Sequence, residues 1–92
     1  MFTVIAFDIS DDRTRYRVVK ALKKYAIRVQ KSVFEAAHLP ENHLRRLQRQ
    51  VERLIDPKTD RVRYYFLCAA CKPRIESVGR GEVAEYEEFR VI

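Results

Sequence analysis

Apolar and polar positions alternate along the chain in a way that separates strand-like from helix-like segments. Residues 2–7 (FTVIAF) are apolar at both odd and even positions, which predicts a buried central strand that ends near Asp8. From 11 to 25 the pattern becomes helical, with Val18, Leu22 and Tyr25 on one face. A basic stripe lies opposite that face and consists of Arg13, Arg17, Lys20 and Lys24.

The segment after the first predicted helix allows two interpretations. Residues 27–36 (IRVQKSVFEA) are rich in strand-forming residues, but the alternation is broken around residues 30–32. The pattern fits one bulged strand or two short strands with a tight connection. Pro40 and Glu41 predict the first turn of a second helix, which Asp56 and Pro57 end. Its apolar seam is Leu44, Leu47, Val51 and Leu54, with Arg46, Arg49 and Arg53 on the far side.

The last third of the chain is again strand-like. Residues 61–68 (RVRYYFLC) alternate between one apolar face and one mixed face, which predicts a strand. Residues 74–78 are a weaker strand candidate, 82–85 resemble a turn, and 86–92 (YEEFRVI) are suited to an edge strand. Strands interleaved with two one-sided helices predict an α+β domain with both helices on one sheet face. We expect a symmetric partner to cover the second face, which makes the protein a homodimer.

Composition adds charge to this picture. The 92 residues carry a net charge of +6, yet residues 1–81 hold 18 Lys or Arg against 9 Asp or Glu, while 82–92 hold one Arg against four Glu. Arginine outnumbers lysine thirteen to six, which favours bidentate contacts with phosphate and hence a nucleic-acid partner over a merely solvated surface. No apolar run approaches the roughly 20 residues of a membrane span, and the N-terminus lacks signal-peptide features. We therefore expect a cytoplasmic protein without a membrane partner.

Four polar residues follow the first predicted strand. Ser10 is a suitable N-cap, and Asp11 and Asp12 would then occupy the first helical turn, where negative charge is favourable. Capping does not account for Asp8, which ends an apolar strand and would be costly to ionise without hydrogen bonds or a cation. The residues leave two alternatives open for Asp8, which are a satisfied structural carboxylate and a ligand for a hard divalent ion such as Mg²⁺.

The cysteines suggest three kinds of site. Cys68 and Cys71 form a CxxC pair, and His38 and His43 could complete a zinc site with them. A redox pair is a second possibility, but no other thioredoxin-like feature accompanies it. The sequence favours the third, two ordinary reduced thiols.

The chain also resembles a known family. The segments FDISDDRTRYRVVKALKKYAIRVQKSVFEA and DPKTDRVRYYFLCAAC are similar to those of the small CRISPR-associated Cas2 proteins over nearly the whole length. The most specific parts are Asp8 in FDISDD, Arg13 after it, and QKSVFEA. The resemblance implies a ferredoxin-like βαββαβ sandwich with residues 1–71 as its core and 27–36 as two strands. Residues 72–92 would be a C-terminal extension of the same domain, with an extra strand that pairs with the partner subunit's sheet.

The resemblance also implies an activity. The family consists of homodimeric, magnesium-dependent endonucleases that act on single-stranded RNA or double-stranded DNA, and the matching catalytic and metal-binding residue is Asp8, one from each protomer. Ser10, Asp11 and Asp12 are candidates for supporting the metal site through water. In this interpretation the protein is a nuclease, a hydrolase of phosphodiester bonds that uses Mg²⁺ or another divalent cation.

A second implied role needs no catalysis. In CRISPR spacer acquisition, an antiviral defence, the family's dimer bridges two dimers of the partner integrase on a short DNA duplex. The duplex backbone would then contact the basic stripe, Arg13, Arg17, Lys20 and Lys24. There are two alternatives, a related ferredoxin-like toxin ribonuclease and a purely non-catalytic scaffold. An RNA-binding RRM sheet is not favoured, because the aromatic residues at 64–66 lack its signature.

Overall fold

Strands and helices follow the order βαββαβ in the computed structural model, which describes residues 2–76, 78 and 79. The elements are β1 (Phe2–Asp8), α1 (Asp12–Leu22), β2 (Ile27–Gln30), β3 (Val33–Ala36), α2 (Glu41–Leu54) and β4 (Arg61–Leu67), followed by one 3₁₀ turn (Lys72–Arg74). The strands form one antiparallel sheet in the order β2-β3-β1-β4. This is the ferredoxin-like arrangement, and the α+β prediction is confirmed.

Several predicted boundaries differ from the structure. Helix α1 ends at Leu22 because Lys24 and Tyr25 donate their backbone N–H groups to the carbonyls three residues back, Ala21 and Leu22. Tyr25 is nevertheless buried, as its place on the apolar face requires. Pro40 precedes α2 as its N-cap residue rather than lying in its first turn.

The two uncertain strand regions have different outcomes. Residues 27–36 are two strands joined at Lys31 and Ser32, with a register irregularity between Arg28 and Gln30. The predicted strand at 74–78 is wrong, since the chain forms the 3₁₀ turn Lys72–Arg74 and no strand among the residues described there. The predicted turn at 82–85 and edge strand at 86–92 lie outside the described residues.

The main core lies between the sheet and the two helices. Odd-numbered residues of β1, such as Ile5 and Phe7, meet Phe34 of β3 and the apolar sides of both helices. The largest fully buried side chains are Phe34, Ile5, Leu22, Leu47, Val18, Val51 and Thr3. Truncating a large apolar side chain in such a core to alanine typically lowers the free energy of unfolding by about 2–5 kcal/mol. This packed layer therefore holds β1 and β4, and with them the ends of both strands, in place.

Even-numbered residues of β1 face away from the helices, and we call that side of the sheet the open face. Phe2 and Ala37 form a small buried cluster there, with Val4, Leu67 and Ile75 partly buried against it. In the cross-strand row of Val4, Tyr65 is 46% exposed and Ile27 is 36% exposed. In the described part of the chain, no helix is long and apolar enough to cross a membrane.

Candidate metal and nucleic-acid site

Asp8 is the last residue of β1, on the open face of the sheet. Residues Phe2 to Asp8 pair in register with Leu67 to Arg61 of β4, so that Arg61 lies directly opposite Asp8. Directly opposite residues of antiparallel strands share a sheet face, with Cβ atoms roughly 4.5–5.5 Å apart. A carboxylate and a guanidinium group therefore project side by side from the end of the open face.

The Asp8 side chain is exposed to solvent. The expectation that ionising it would be costly is therefore wrong, because water solvates the carboxylate. Within the described residues, it takes part in no hydrogen bond or ion pair. Its oxygens are thus accessible to a cation or to a second subunit.

Asp11, rather than Ser10, is the N-cap of α1. The backbone of Asp11 is extended, and its Oδ2 accepts a hydrogen bond of 2.8 Å from the N–H of Thr14. This bond holds the pKa of the Asp11 carboxyl below its ordinary value. The predicted cap at Ser10 is corrected by one residue, and Asp12 alone lies in the first turn.

Arg15 organises the loop between Asp8 and α1. Its Nη1 donates to the carbonyl of Ile9 at 2.8 Å and to that of Ser10 at 3.4 Å, while its Nη2 binds Asp12 Oδ1. The Arg15 side chain is only 30% exposed, so these bonds are partly shielded from water. Sequence reasoning missed this residue, although the spacing of Asp12 and Arg15 by three helical positions was a usable signal.

The acids after β1 therefore differ in availability. Asp11 caps a helix and Asp12 pairs with Arg15, whereas Asp8 is without a partner in the part of the chain that the structure describes. In that part of the chain, no three His, Cys, Asp or Glu side chains come together to hold a metal. His38, His43 and the two cysteines therefore do not form the zinc site that the sequence allowed. Mg²⁺ needs only one or two carboxylates and otherwise keeps its waters or takes phosphate oxygens. One Asp8 per chain fits such a site when two chains supply the ligands.

The basic stripe is exposed along α1, as predicted. Three of its residues, Arg17, Lys20 and Lys24, line a shallow cleft of ≈ 270 Å³ between the two helices, together with Ala21, Gln50 and Leu54. The α2 arginines Arg46, Arg49 and Arg53 are exposed as well. This basic surface belongs to the helix layer, whereas Asp8 belongs to the open face, so the two features lie on opposite layers of the domain.

Further arginines lie beside Asp8 on the open face. Arg63 is two residues from Arg61 on β4, and its Nη1 donates to the Tyr65 hydroxyl at 3.2 Å. This hydrogen bond raises the pKa of the Arg63 guanidinium. The mixed face of β4 was predicted from the sequence, but the position of its arginines next to Asp8 depends on the β1–β4 register.

Comparison with known proteins yields one consistent family. The model of "CRISPR associated protein Cas2" matches residues 1–75. A CRISPR-associated endoribonuclease Cas2 of Chloroflexus aurantiacus is 44% identical over 87 residues, which are 92% of this chain and 91% of the relative.

Solved structures agree with that match. Cas2 of Streptococcus pyogenes superposes with a TM-score of 0.76 at 27% identity, covering 86% of this chain and 100% of that one. A chain of a partial Cas6-RT-Cas1–Cas2 complex superposes with a TM-score of 0.71 at 28% identity, covering 84% of this chain and 83% of that one.

Proposed function

Because this chain belongs to the CRISPR associated protein Cas2 family, we propose that it is a CRISPR adaptation protein that binds nucleic acid and cleaves it with Mg²⁺ at Asp8. The observation that carries the nuclease part is the exposed carboxylate of Asp8 beside Arg61. The name of the Chloroflexus relative, an endoribonuclease, supports the same activity and favours single-stranded RNA as the first substrate to test. Double-stranded DNA is the second.

The protein works as a homodimer through its open face. Ile27 and Tyr65 leave apolar surface exposed there, and Val4 and Leu67 are only partly buried. Covering this surface with a second copy would bury it by hydrophobic contact, and a two-fold axis would bring two Asp8 residues to one cleft. The dimer thus supplies the second carboxylate that a single chain does not offer.

The two Asp8 carboxylates would hold the metal, and the neighbouring arginines would receive the substrate. Bound there, Mg²⁺ would polarise the scissile phosphate and lower the pKa of an attacking water. Arg61 and Arg63 attract the phosphodiester backbone by charge and by paired N–H donors. Ser10, Asp11 and Asp12 support the site through water, and Arg15 fixes the path of the chain between them and Asp8.

The basic stripe serves the second part of the function. Arg13, Arg17, Lys20 and Lys24 are exposed and can contact a duplex backbone, which carries no sequence information. The similarity to a chain of a Cas1–Cas2 complex supports a Cas1-type integrase dimer as the protein partner. Because the stripe and Asp8 lie on different layers, duplex binding and cleavage are separable by mutation.

The test uses the purified full chain with Asp8→Asn. We expect cleavage of single-stranded RNA in Mg²⁺ to fall at least about 100-fold, with duplex affinity unchanged. Glu41→Gln is the matched control, since Glu41 is an exposed carboxylate at the start of α2 and away from the open face. Sedimentation should give a dimer for all three proteins.

The outcomes distinguish the two parts of the proposal. Cleavage that Asp8→Asn leaves unchanged would remove Asp8 from the metal site. A wild-type protein that binds duplex but cleaves neither RNA nor DNA would be a non-catalytic scaffold.

A further inference from the structure

Cys68 and Cys71 come together where the chain leaves the sheet. β4 ends at Leu67, and the next residues turn so that the N–H groups of Cys71 and Lys72 both donate to the Cys68 carbonyl, at 2.9 and 3.3 Å. The turn brings the two Sγ atoms to 3.2 Å, within hydrogen-bonding distance. Both cysteines are reduced and exposed, so a small molecule can reach them.

We propose that Cys68 and Cys71 are a redox-active dithiol, oxidised to an intrachain disulfide by exchange with a low-molecular-weight disulfide such as oxidised glutathione. The property is independent of the nuclease and scaffold functions. It goes beyond the sequence-based prediction of two ordinary thiols, because the distance between the sulfurs was not visible in the CxxC spacing.

The two thiols are not equivalent. Once Cys68 loses its proton, the Cys71 thiol 3.2 Å away can donate to its sulfur, and the backbone N–H groups of the turn stabilise the same negative charge, so the pKa of Cys68 is lowered. The same hydrogen bond raises the pKa of Cys71. Because the thiolate is the reactive form, Cys68 is the attacking sulfur and Cys71 the resolving one.

The exchange proceeds in two balanced steps. Cys68 Sγ⁻ attacks one sulfur of the small disulfide, which forms a mixed disulfide and expels one small thiolate. Cys71 then gives up its proton to solvent and attacks Cys68 Sγ, which forms the intrachain bond and expels the second small thiolate. The two expelled thiolates take up two protons, so one small disulfide is reduced to two thiols while the protein dithiol is oxidised.

The surroundings favour redox chemistry over metal binding. Two thiols supply half of a tetrahedral zinc site, and among the described residues no third His, Cys, Asp or Glu joins them. The turn also leads into contacts on the open face, because Lys72 Nζ lies 5.7 Å from the centre of the Phe2 ring and Ile75 packs against the Phe2 cluster. A disulfide would fix the turn from which these contacts start.

The test equilibrates the full-length protein in glutathione buffers of increasing oxidised fraction, followed by alkylation and mass spectrometry. We expect a form that is lighter by two hydrogens and takes up no alkyl groups, and that remains monomeric in size on a denaturing non-reducing gel. Two thiols that stay alkylatable in oxidised glutathione alone would overturn the proposal, as would a disulfide found only between chains.

Single variants test the roles of the two sulfurs. Cys71→Ser should accumulate the mixed disulfide with glutathione. In this variant the turn N–H groups still stabilise the Cys68 thiolate and the serine hydroxyl can replace the thiol as donor, so it should react with iodoacetamide at pH 7 at least about threefold faster than Cys68→Ser. Equal rates would contradict Cys68 as the attacking thiol. A third measurement adds Zn²⁺ at one equivalent to the reduced wild type, and complete protection of both thiols from alkylation would instead identify a metal site.

Discussion

Asp8 and Arg61 lie directly opposite each other at the end of the β1–β4 ladder, both exposed on the open face of the sheet. They form no ion pair in the part of the chain that the structure describes. The carboxylate is therefore available to a cation, while the guanidinium beside it repels that cation and attracts phosphate. The pair can receive a metal and a phosphodiester at adjoining positions.

Neutralising Arg61 should affect metal and substrate in opposite directions. In Arg61→Gln, loss of the positive charge should lower the Mg²⁺ concentration for half-maximal cleavage by about 2–5-fold, the range expected for exposed charges at this spacing. The Kd for single-stranded RNA should rise, because a phosphate contact is lost. A Mg²⁺ titration of cleavage and a binding titration without Mg²⁺ measure the two effects. The matched control is Arg46→Gln on α2, and an unchanged Mg²⁺ requirement in Arg61→Gln would place the metal away from this pair.

The Asp11 cap predicts a dependence of stability on acid pH. The hydrogen bond from Thr14 lowers the pKa of Asp11 in the folded state. The ionised carboxylate therefore contributes its full stabilisation of the fold above the unfolded-state pKa of 3.8, and this stabilisation is lost as pH falls through the lower folded-state pKa. Asp11→Ala should lower the thermal midpoint at pH 7 by a few degrees. Asp11→Asn should keep most of the cap and remove this part of the acid dependence. Thermal melts from about pH 2 to about pH 7 measure both variants. Identical acid profiles for wild type and Asp11→Asn would contradict the assignment.

Arg15 should matter more for activity than its distance in sequence from Asp8 suggests. Arg15→Ala removes the hydrogen bonds to the Ile9 and Ser10 carbonyls and the pair with Asp12, which should destabilise the fold by about 1–3 kcal/mol. Cleavage should fall because the chain after Asp8 loses its anchor, with the loss in kcat rather than in KM. Arg15→Lys keeps the charge without the planar fork and should recover only part of both losses. Arg46→Ala on α2 is the control, and an equal effect of Arg46→Ala on kcat would show that charge alone matters.

Hydrophobic periodicity was sufficient to predict the layers of this fold. Each helix, and the strand predicted at 61–68, turns one apolar face towards the same core. The spacing of apolar residues within each element therefore predicts which face is buried. The choice between Ser10 and Asp11 as N-cap was beyond the sequence, since both residue types cap equally well and the path of the loop decides. The 3₁₀ turn at Lys72–Arg74 replaced a predicted strand because Pro73 and the i→i+3 bonds around it favour a turn.

The site itself was only partly visible in the sequence. Asp8 was singled out because capping did not explain it, and of Asp8, Asp11 and Asp12 it is the one without a partner among the described residues. Arg61 could not be assigned to Asp8, because the two are 53 positions apart and only the long-range register of β1 with β4 brings them together. The close sulfur pair depends likewise on the conformation of a turn, which the CxxC spacing permits but does not require.

The last prediction concerns how the affinity of the basic stripe for a duplex depends on salt concentration. Each phosphate contact releases counterions, so the logarithm of duplex affinity falls with the logarithm of salt concentration by about 0.9 for every contact. Arg13→Gln with Arg17→Gln should therefore reduce the slope by about 2 in a binding titration over increasing salt, whatever the duplex sequence. The matched control is Arg46→Gln with Arg49→Gln, which removes the same charge from the exposed side of α2. Asp8→Asn should leave the slope unchanged, because Asp8 belongs to the other layer. If the α2 pair reduces the slope and the α1 pair does not, the duplex lies along α2, since both pairs carry equal charge and only their position differs.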